Sequence, residues 1–121
     1  MRMGPYVFAA GNALGLKCLA LEDGRLVYEN ERGPAELCFS RGKVIETEYP
    51  GWPGEPALTA AGWLDDRQLR IRCHAIGNAP CGFDMVLAFA EEFVTVQCVK
   101  SYDPRTEGYE GVASGIPAQE V

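Results

Sequence analysis

The strongest constraint on the fold is an alternation of apolar and polar residues with a period of two, which runs along most of the chain. It is clearest in QLRIRCH, residues 68–74, where Leu69, Ile71 and Cys73 alternate with polar residues. Successive side chains of a β-strand point to opposite faces of its sheet, so the three apolar residues share one face and the polar residues share the other. This stretch therefore predicts a half-buried antiparallel strand.

Other stretches show the same pattern and are interpreted as strands: YVFA, LKCLAL, RLVYEN, AELCFS, KVIETEY, ALTAAGW, GFDMVLAFA and FVTVQCV. Short turn signals separate them: Asp23-Gly24, Arg32-Gly33-Pro34, Arg41-Gly42, Asp65-Asp66 and Gly77-Asn78. We therefore predict an all-β fold, an antiparallel meander of about eight to nine strands with no convincing helix. Because open sheet edges invite pairing with other chains, such a meander closes into a barrel or folds into two packed sheets. We favour the barrel.

The alternation also predicts which side chains fill the barrel. These inward residues are Leu69, Ile71, Cys73, Phe83, Met85, Leu87 and Phe89. Their bulk is enough to fill a small barrel, so we expect a filled interior, although an interior ligand stays an open alternative. PGWPGEP, residues 50–56, is interpreted as an irregular crossover or a flap over one end. The predicted domain is a single barrel over residues 1–103, followed by a polar, partly disordered C-terminal tail over residues 104–121.

Composition restricts the class of protein and its partners. The chain has 121 residues, 47% of them hydrophobic, which is enough for one core but not for two domains. Its net charge is −6 with no run of Lys or Arg, so nucleic acid is not an expected partner. No apolar run approaches the length of a membrane span or of a signal sequence, so we expect neither membrane insertion nor export.

The cysteines indicate the redox compartment. Five cysteines, an odd number, stand at Cys18, Cys38, Cys73, Cys81 and Cys98 without short paired spacing. This pattern fits reduced thiols better than a disulfide framework, so we expect a cytoplasmic protein. Since cysteine is among the most often buried residue types, most of them are interpreted as small core residues.

One motif has the spacing of a catalytic site. Ser40 and Lys43 match S-x-x-K, in which a lysine activates a serine nucleophile one helical turn away. Here, however, predicted strands flank the motif on both sides. With Arg41-Gly42 at the centre of a tight turn, Ser40 and Lys43 become the flanking pair of a hairpin rather than a helical site. Tyr28-Glu29-Asn30 matches Y-x-N but ends a strand, and no K-T-G follows. No catalytic residue is therefore predicted.

The other candidate residues have simpler interpretations. His74 is the only histidine, and it cannot easily share a metal ion with Cys73, because adjacent strand residues point to opposite faces. Neither a metal nor a cofactor is predicted. Arg70, Arg72 and His74 form a basic stripe that either binds an anionic ligand or partner, or is a solvated face balanced by nearby carboxylates, which we favour.

Acidic and aromatic candidates are likewise assigned structural roles. Asp65-Asp66 are expected to form a turn rather than a catalytic pair, because adjacent acids have no fixed convergent geometry. The large aromatic residues either line a cavity or fill the core, and core filling is the more common role in an all-β domain. They are Tyr6, Tyr49, Trp52, Trp63, Phe83 and Phe89.

The order of the segments resembles a known family. Residues 12–51, from NALG through YEN and the following glycine turns, residues 60–98, which open with AAGWLDD, and EGYEGVASG, residues 107–115, carry the resemblance. In this order they look like the C-terminal β domain of bacterial serine β-lactamase-like hydrolases, among the relatives of D-aminopeptidase. The resemblance spans about Asn12 to Gly115 and concerns strand and turn positions rather than catalytic ones.

This resemblance implies a lipocalin-like barrel that follows a catalytic domain and packs on it. The family's catalytic serine, lysine and tyrosine lie in that other domain, so none is assigned to a residue of this chain. We therefore expect a non-catalytic accessory domain whose partner is the catalytic domain of a serine hydrolase, in the same chain or in trans. The chain is either an excised domain or a free-standing relative. The alternatives are a free-standing barrel that binds an apolar small molecule and, less favoured, a hydrolase in its own right.

Overall fold

The chain folds into ten antiparallel β-strands. The computed structural model describes residues 3–31, 33–40, 42–49, 54–76, 82–100 and 111–118. The strands are β1 Met3–Phe8, β2 Leu16–Glu22, β3 Arg25–Asn30, β4 Gly33–Cys38, β5 Ile45–Glu48, β6 Pro56–Trp63, β7 Gln68–Ala75, β8 Gly82–Phe89, β9 Val94–Lys100 and β10 Gly111–Pro117. Strands β1 to β9 lie where the alternation predicts them. The described residues include no helix that is long and apolar enough to cross a membrane.

All ten strands belong to one sheet, in the order β4-β3-β2-β1-β10-β9-β8-β7-β6-β5. Sequential strands are neighbours except for β4 and β5, which lie at the two edges of the sheet. In addition, β1 pairs with β10, so the first strand and the last described strand meet within the sheet. The sheet curls into a nearly closed barrel. Its two edge strands, β4 and β5, do not pair with each other, and we call the line between them the seam. The predicted all-β, barrel-like class is confirmed, with ten strands instead of eight or nine.

The tenth strand lies in the part of the chain that we predicted to be a polar tail. Gly111–Pro117 forms β10 and pairs with β9 on one side and with β1 on the other. The alternation here is hard to recognise because its inward residues, Ala113 and Gly115, are small. A larger residue does not fit at 115, since a Cβ atom there would lie 2.8 Å from the ring of Phe8. Residues 104–110 and 119–121 lie outside the described part.

The barrel interior is occupied by large side chains. All seven residues predicted to point inward are buried, with exposed fractions between 0% and 6%. Leu19, Leu26 and Leu37 face them from the other half of the sheet and are at most 1% exposed. Both halves of the sheet therefore contribute inward residues to a single core.

A short connection lies beside the seam between β4 and β5. Ser40 and Lys43 form an isolated antiparallel bridge in which the Lys43 N–H donates to the Ser40 carbonyl oxygen, at 3.2 Å. The N–H of Gly42 donates to the carbonyl oxygen of Ala61, at 3.4 Å, and so attaches the connection to β6. This arrangement places residues 42–44 beside β6, next to the residues of β6 that do not pair with β5.

Candidate functional site

The S-x-x-K pair forms the hairpin predicted for it. The antiparallel bridge between Ser40 and Lys43 leaves no helical turn across which the lysine could approach the serine. Lys43 is exposed, as the end of a tight turn requires. Arg41 lies outside the described residues. Tyr28 and Asn30, the other residues of the motif comparison, are buried inward positions at the end of β3.

The acidic pair at the β6–β7 connection shapes a turn. The Asp65 Oδ1 atom accepts hydrogen bonds from the N–H groups of Arg67 and Gln68, at 2.8 and 2.9 Å. Its Oδ2 atom accepts a third bond from the side-chain amide of Gln68, at 3.0 Å. Such a carboxylate replaces a backbone acceptor in a tight turn. The structural interpretation of Asp65 is confirmed.

Cys73 and His74 point in opposite directions, as the strand geometry predicts. Cys73 is fully buried, and its sulfur lies 3.7 Å from the hydroxyl of Thr59 inside the barrel, whereas His74 is exposed on the outer surface. Within the described ranges, no three His, Cys, Asp or Glu side chains are arranged so that they could hold a metal ion.

The basic stripe on β7 is partly neutralised by an acid on β8. The Arg70 Nε atom donates to both carboxylate oxygens of Asp84, at 3.0 and 3.2 Å, and Arg72 Nε lies 3.6 Å from the same carboxylate. The hydrogen bond from Arg70, helped by the charges of Arg70, Arg72 and His74, holds the pKa of Asp84 below its usual value despite the opposing effect of desolvation. One carboxylate thus faces two guanidinium groups, so the stripe keeps a positive charge.

Five of the six aromatic candidates lie within the described residues and pack against each other. The ring of Phe89 lies between those of Tyr6 and Trp63, with centroids 6.1 Å away in each case. Tyr49 meets Phe83 edge to face at 5.7 Å. These contacts support core filling over cavity lining for five of the six aromatic candidates. Trp52 lies outside the described residues, as do residues 50–53 of the predicted flap, Gly77-Asn78 and Cys81.

Of the described cysteines, Cys73 and Cys98 are buried core residues, as predicted. Cys18 and Cys38 are only half-buried. The thiol of Cys38 donates to Glu36 Oε1 at 3.3 Å, and desolvation, with that hydrogen bond and the nearby charge, raises its pKa. Cys38 is therefore less reactive as a nucleophile than an ordinary thiol.

The outer side of β9, β10 and β1 forms a surface of uniform character. Its outward side chains carry no ionisable group, and we call it the uncharged face: Pro5, Val7, Thr95, Gln97, Val99, Val112, Ser114 and Ile116. The exposed fractions of Val99, Val112 and Ile116 are 51%, 53% and 57%. Val7 is 41% exposed and lies directly opposite Ile116 in the β1–β10 ladder.

The outer side of β2 to β5 has the opposite character. Its outward residues include five glutamates and one arginine, which we call the charged face: Glu22, Arg25, Glu29, Glu36, Glu46 and Glu48. Arg25 Nε donates to Glu22 at 2.7 Å, and its Nη1 lies 3.5 Å from Glu36. In the nearly closed barrel, β10 lies on the side away from the seam, so the two faces lie on different sides of the molecule.

Asn12 has a role that residue-type reasoning did not assign. It stands in the β1–β2 connection, where its side-chain amide donates to the carbonyl oxygens of Ala9 and Leu16, at 2.9 and 2.8 Å. Its Oδ1 accepts from the N–H groups of Leu14 and Leu16, at 3.1 and 2.9 Å. Three residues later Gly15 has a φ of 65°, a conformation that favours glycine. Asn12 and Gly15, the first and last residues of the NALG stretch that is part of the resemblance, thus determine the conformation of this loop.

Comparisons with known proteins gave no match, whether against family models, curated proteins or solved structures.

Proposed function

We propose that this chain is a non-catalytic accessory domain of a serine β-lactamase-like hydrolase, which packs on the catalytic domain or shapes access to its active site. The partner lies in the same chain or is bound in trans. The segment order described above motivates the choice of family. The uncharged face is the structural observation that carries the docking role, and β9, β10 and β1 form the contact surface.

The chemistry of that face supports a protein partner. Four apolar side chains that are each at least 41% exposed, Val7, Val99, Val112 and Ile116, lie on three neighbouring strands of this face. Clusters of exposed apolar side chains mark interaction sites. The cores of protein interfaces are depleted in charged residues, and here eight neighbouring outward positions have none. The chain has a net charge of −6, so eight neighbouring outward positions without an acidic residue differ from its overall composition.

The runner-up function, binding of an apolar small molecule inside the barrel, has less support. The inward positions on both halves of the sheet carry large buried side chains, among them Phe83, Leu87 and Leu26. A ligand inside would have to displace some of them, and removing a buried leucine from a core typically costs about 3 kcal/mol. A partner on the outside requires no such change.

The test is association with a serine β-lactamase-like catalytic domain encoded beside this sequence. Isothermal titration calorimetry is expected to show one-to-one binding, and Ile116→Lys is expected to weaken it by at least about tenfold, because burial of an unpaired charge is unfavourable. Val27→Lys, on the outer side of β3, is the matched control and should bind like the unaltered chain. Both variants should keep stability within about 0.5 kcal/mol.

Two results would contradict the proposal. The first is the absence of association with the catalytic domain, both in trans and when the two are joined by a linker. The second is saturable binding of the neutral probe N-phenyl-1-naphthylamine that is lost in Leu87→Trp, since this would place an apolar ligand inside the barrel.

A further inference from the structure

A groove crosses the outer surface of β6, away from the uncharged face. It has a volume of about 330 Å³. Residues 42–44, the last residues of β6 with the following Leu64, and Arg70 and Arg72 of β7 line it. Its walls include Val44 and Leu64, whose exposed fractions are 64% and 57%. This volume is at the lower end of the range for small-molecule sites, about 300–1,000 Å³.

The groove exists because the residues of its floor have a very small side chain or none. Ala60 and Gly62 occupy outward positions of β6, opposite Arg72 and Arg70 of β7. On the other side, Gly42 is attached to β6 by its hydrogen bond to Ala61. A Cβ atom at position 62 would meet nothing within 4 Å, and Gly62 does not have the positive φ that favours glycine. The missing side chain is therefore not required by the backbone and leaves an apolar depression.

The charge around the groove is positive in an acidic protein. Lys43, Arg70 and Arg72 line it, and among the described residues no Asp or Glu does. Arg70 is held by Asp84, but the side chain of Arg72 is 56% exposed and lies 3.6 Å from that carboxylate, at the edge of ion-pair distance. Arg72 and Lys43 are thus available to an anion bound in the groove.

From this arrangement we infer that the groove binds a small apolar carboxylate, with its apolar group over Ala60 and Gly62 and its carboxylate directed to Arg72 and Lys43. The apolar walls and the missing side chain select the body of the ligand, and the cationic rim selects its charge. A neutral ligand would leave the rim unused, and an inorganic anion would leave the apolar floor unused. This site is independent of the proposed docking role.

The test uses two ligands of the same shape. 3-Phenylpropionate is titrated into the 15N-labelled protein, and backbone amide shifts are followed by NMR, with the neutral 3-phenylpropanamide as the matched control. We expect saturable shifts at Gly42, Val44, Ala60 and Gly62 with the carboxylate. The amide should bind about three- to fivefold more weakly, the effect of one partly exposed charge pair.

Two variants examine the two parts of the site separately. Gly62→Leu fills the depression and should abolish the shifts, while Ala20→Leu, an outward position on β2, controls for an added surface leucine. Arg72→Gln should lower carboxylate affinity toward that of the amide, with Lys43 still present, and should leave amide binding unchanged. Arg67→Gln, in the exposed β6–β7 turn, controls for the loss of one positive charge.

Three outcomes would overturn the inference. One is the absence of saturable shifts with either ligand at millimolar concentration. Another is equal binding of acid and amide that Gly62→Leu leaves unchanged. The third is tighter binding of the peptide acetyl-Phe-Asp-amide than of the free acid, since this would identify a segment of a partner protein as the occupant. None of these outcomes depends on the catalytic domain, so the docking proposal is tested separately.

Discussion

The uncharged face and the charged face belong to the same sheet and cover the same core, yet their outward residues share almost no chemistry. On β9, β10 and β1 the outward positions are Val, Ile, Thr, Ser, Gln and Pro, whereas on β2 to β5 they include five glutamates. The inward positions of both regions contribute buried apolar side chains to the same core. The inner pattern therefore reflects folding, while the difference between the outer patterns is unexplained by folding and indicates function.

The largest expected effect comes from removing the strand at the centre of the uncharged face. Deletion of residues 111–121 leaves β1 and β9 without their shared neighbour, and the loss of two ladders exceeds what a domain with roughly 5–15 kcal/mol of stability can tolerate. We expect loss of the cooperative thermal transition in circular dichroism. Deletion of residues 119–121 alone is the control and should leave the transition in place. A truncated chain that unfolds like the full one would show that β10 is dispensable.

Truncation of a buried leucine tests whether the two halves of the sheet, β1 to β4 and β5 to β10, share one core. Leu26 on β3 and Leu87 on β8 are both fully buried. Leu26→Ala and Leu87→Ala should each lower the free energy of unfolding by about 2.5–5 kcal/mol, measured by urea denaturation. Val27→Ala and Val86→Ala, at outward neighbours, should cost much less. A large cost in only one half would mean that the halves do not share a core.

Asn12 joins β1 of the uncharged face to β2, where the charged face begins. Asn12→Ala removes the donor and acceptor that order four backbone groups, so we expect a loss of about 1–3 kcal/mol in the free energy of unfolding. Asn12→Asp keeps the acceptor and should lose less. An alanine variant as stable as the parent would show that the backbone of the connection forms the loop without this side chain.

The smallest expected effect is the pH response of Asp84, beside the uncharged face. Its pKa is lowered in the folded protein, chiefly by the hydrogen bond from Arg70, so its ionised form stabilises the fold above the unfolded pKa of about 3.9. This stabilisation is lost as the pH falls through the folded pKa. Asp84→Asn should therefore flatten the fall in stability below about pH 4. Asp66→Asn, at an exposed carboxylate, is the matched control for the loss of one negative charge.

The parts of the fold that could be predicted are those where large residues alternate with polar ones. QLRIRCH and GFDMVLAFA have this pattern, and their inward residues are all buried. The hairpin at Ser40 and the turn at Asp65 were predictable because turn geometry is local. β10 was not, since Ala113 and Gly115 give too little hydrophobic contrast, and Gly115 is explained only by the ring of Phe8 beside it.

The candidate sites depend on strand order, which local patterns do not contain. The uncharged outward positions of FVTVQCV can be read from the sequence, but their continuation into Val112, Ile116 and Val7 requires the β1–β10 and β9–β10 pairings. The groove likewise depends on the hydrogen bond between Gly42 and Ala61, which joins the 42–44 connection to β6. Contacts between residues distant in sequence brought both surfaces together.

The pairing of β1 with β10 also orders events during synthesis. β1 leaves the ribosome before the other nine described strands, yet one of its edges stays unpaired until β10, the last of them, emerges. A nascent chain that lacks β10 therefore exposes the free edges of β1 and β9 and is prone to aggregate. Because the uncharged face is made of β9, β10 and β1, it is assembled in the same event. A partner that binds this face thus distinguishes a chain with a complete sheet from one that still lacks β10.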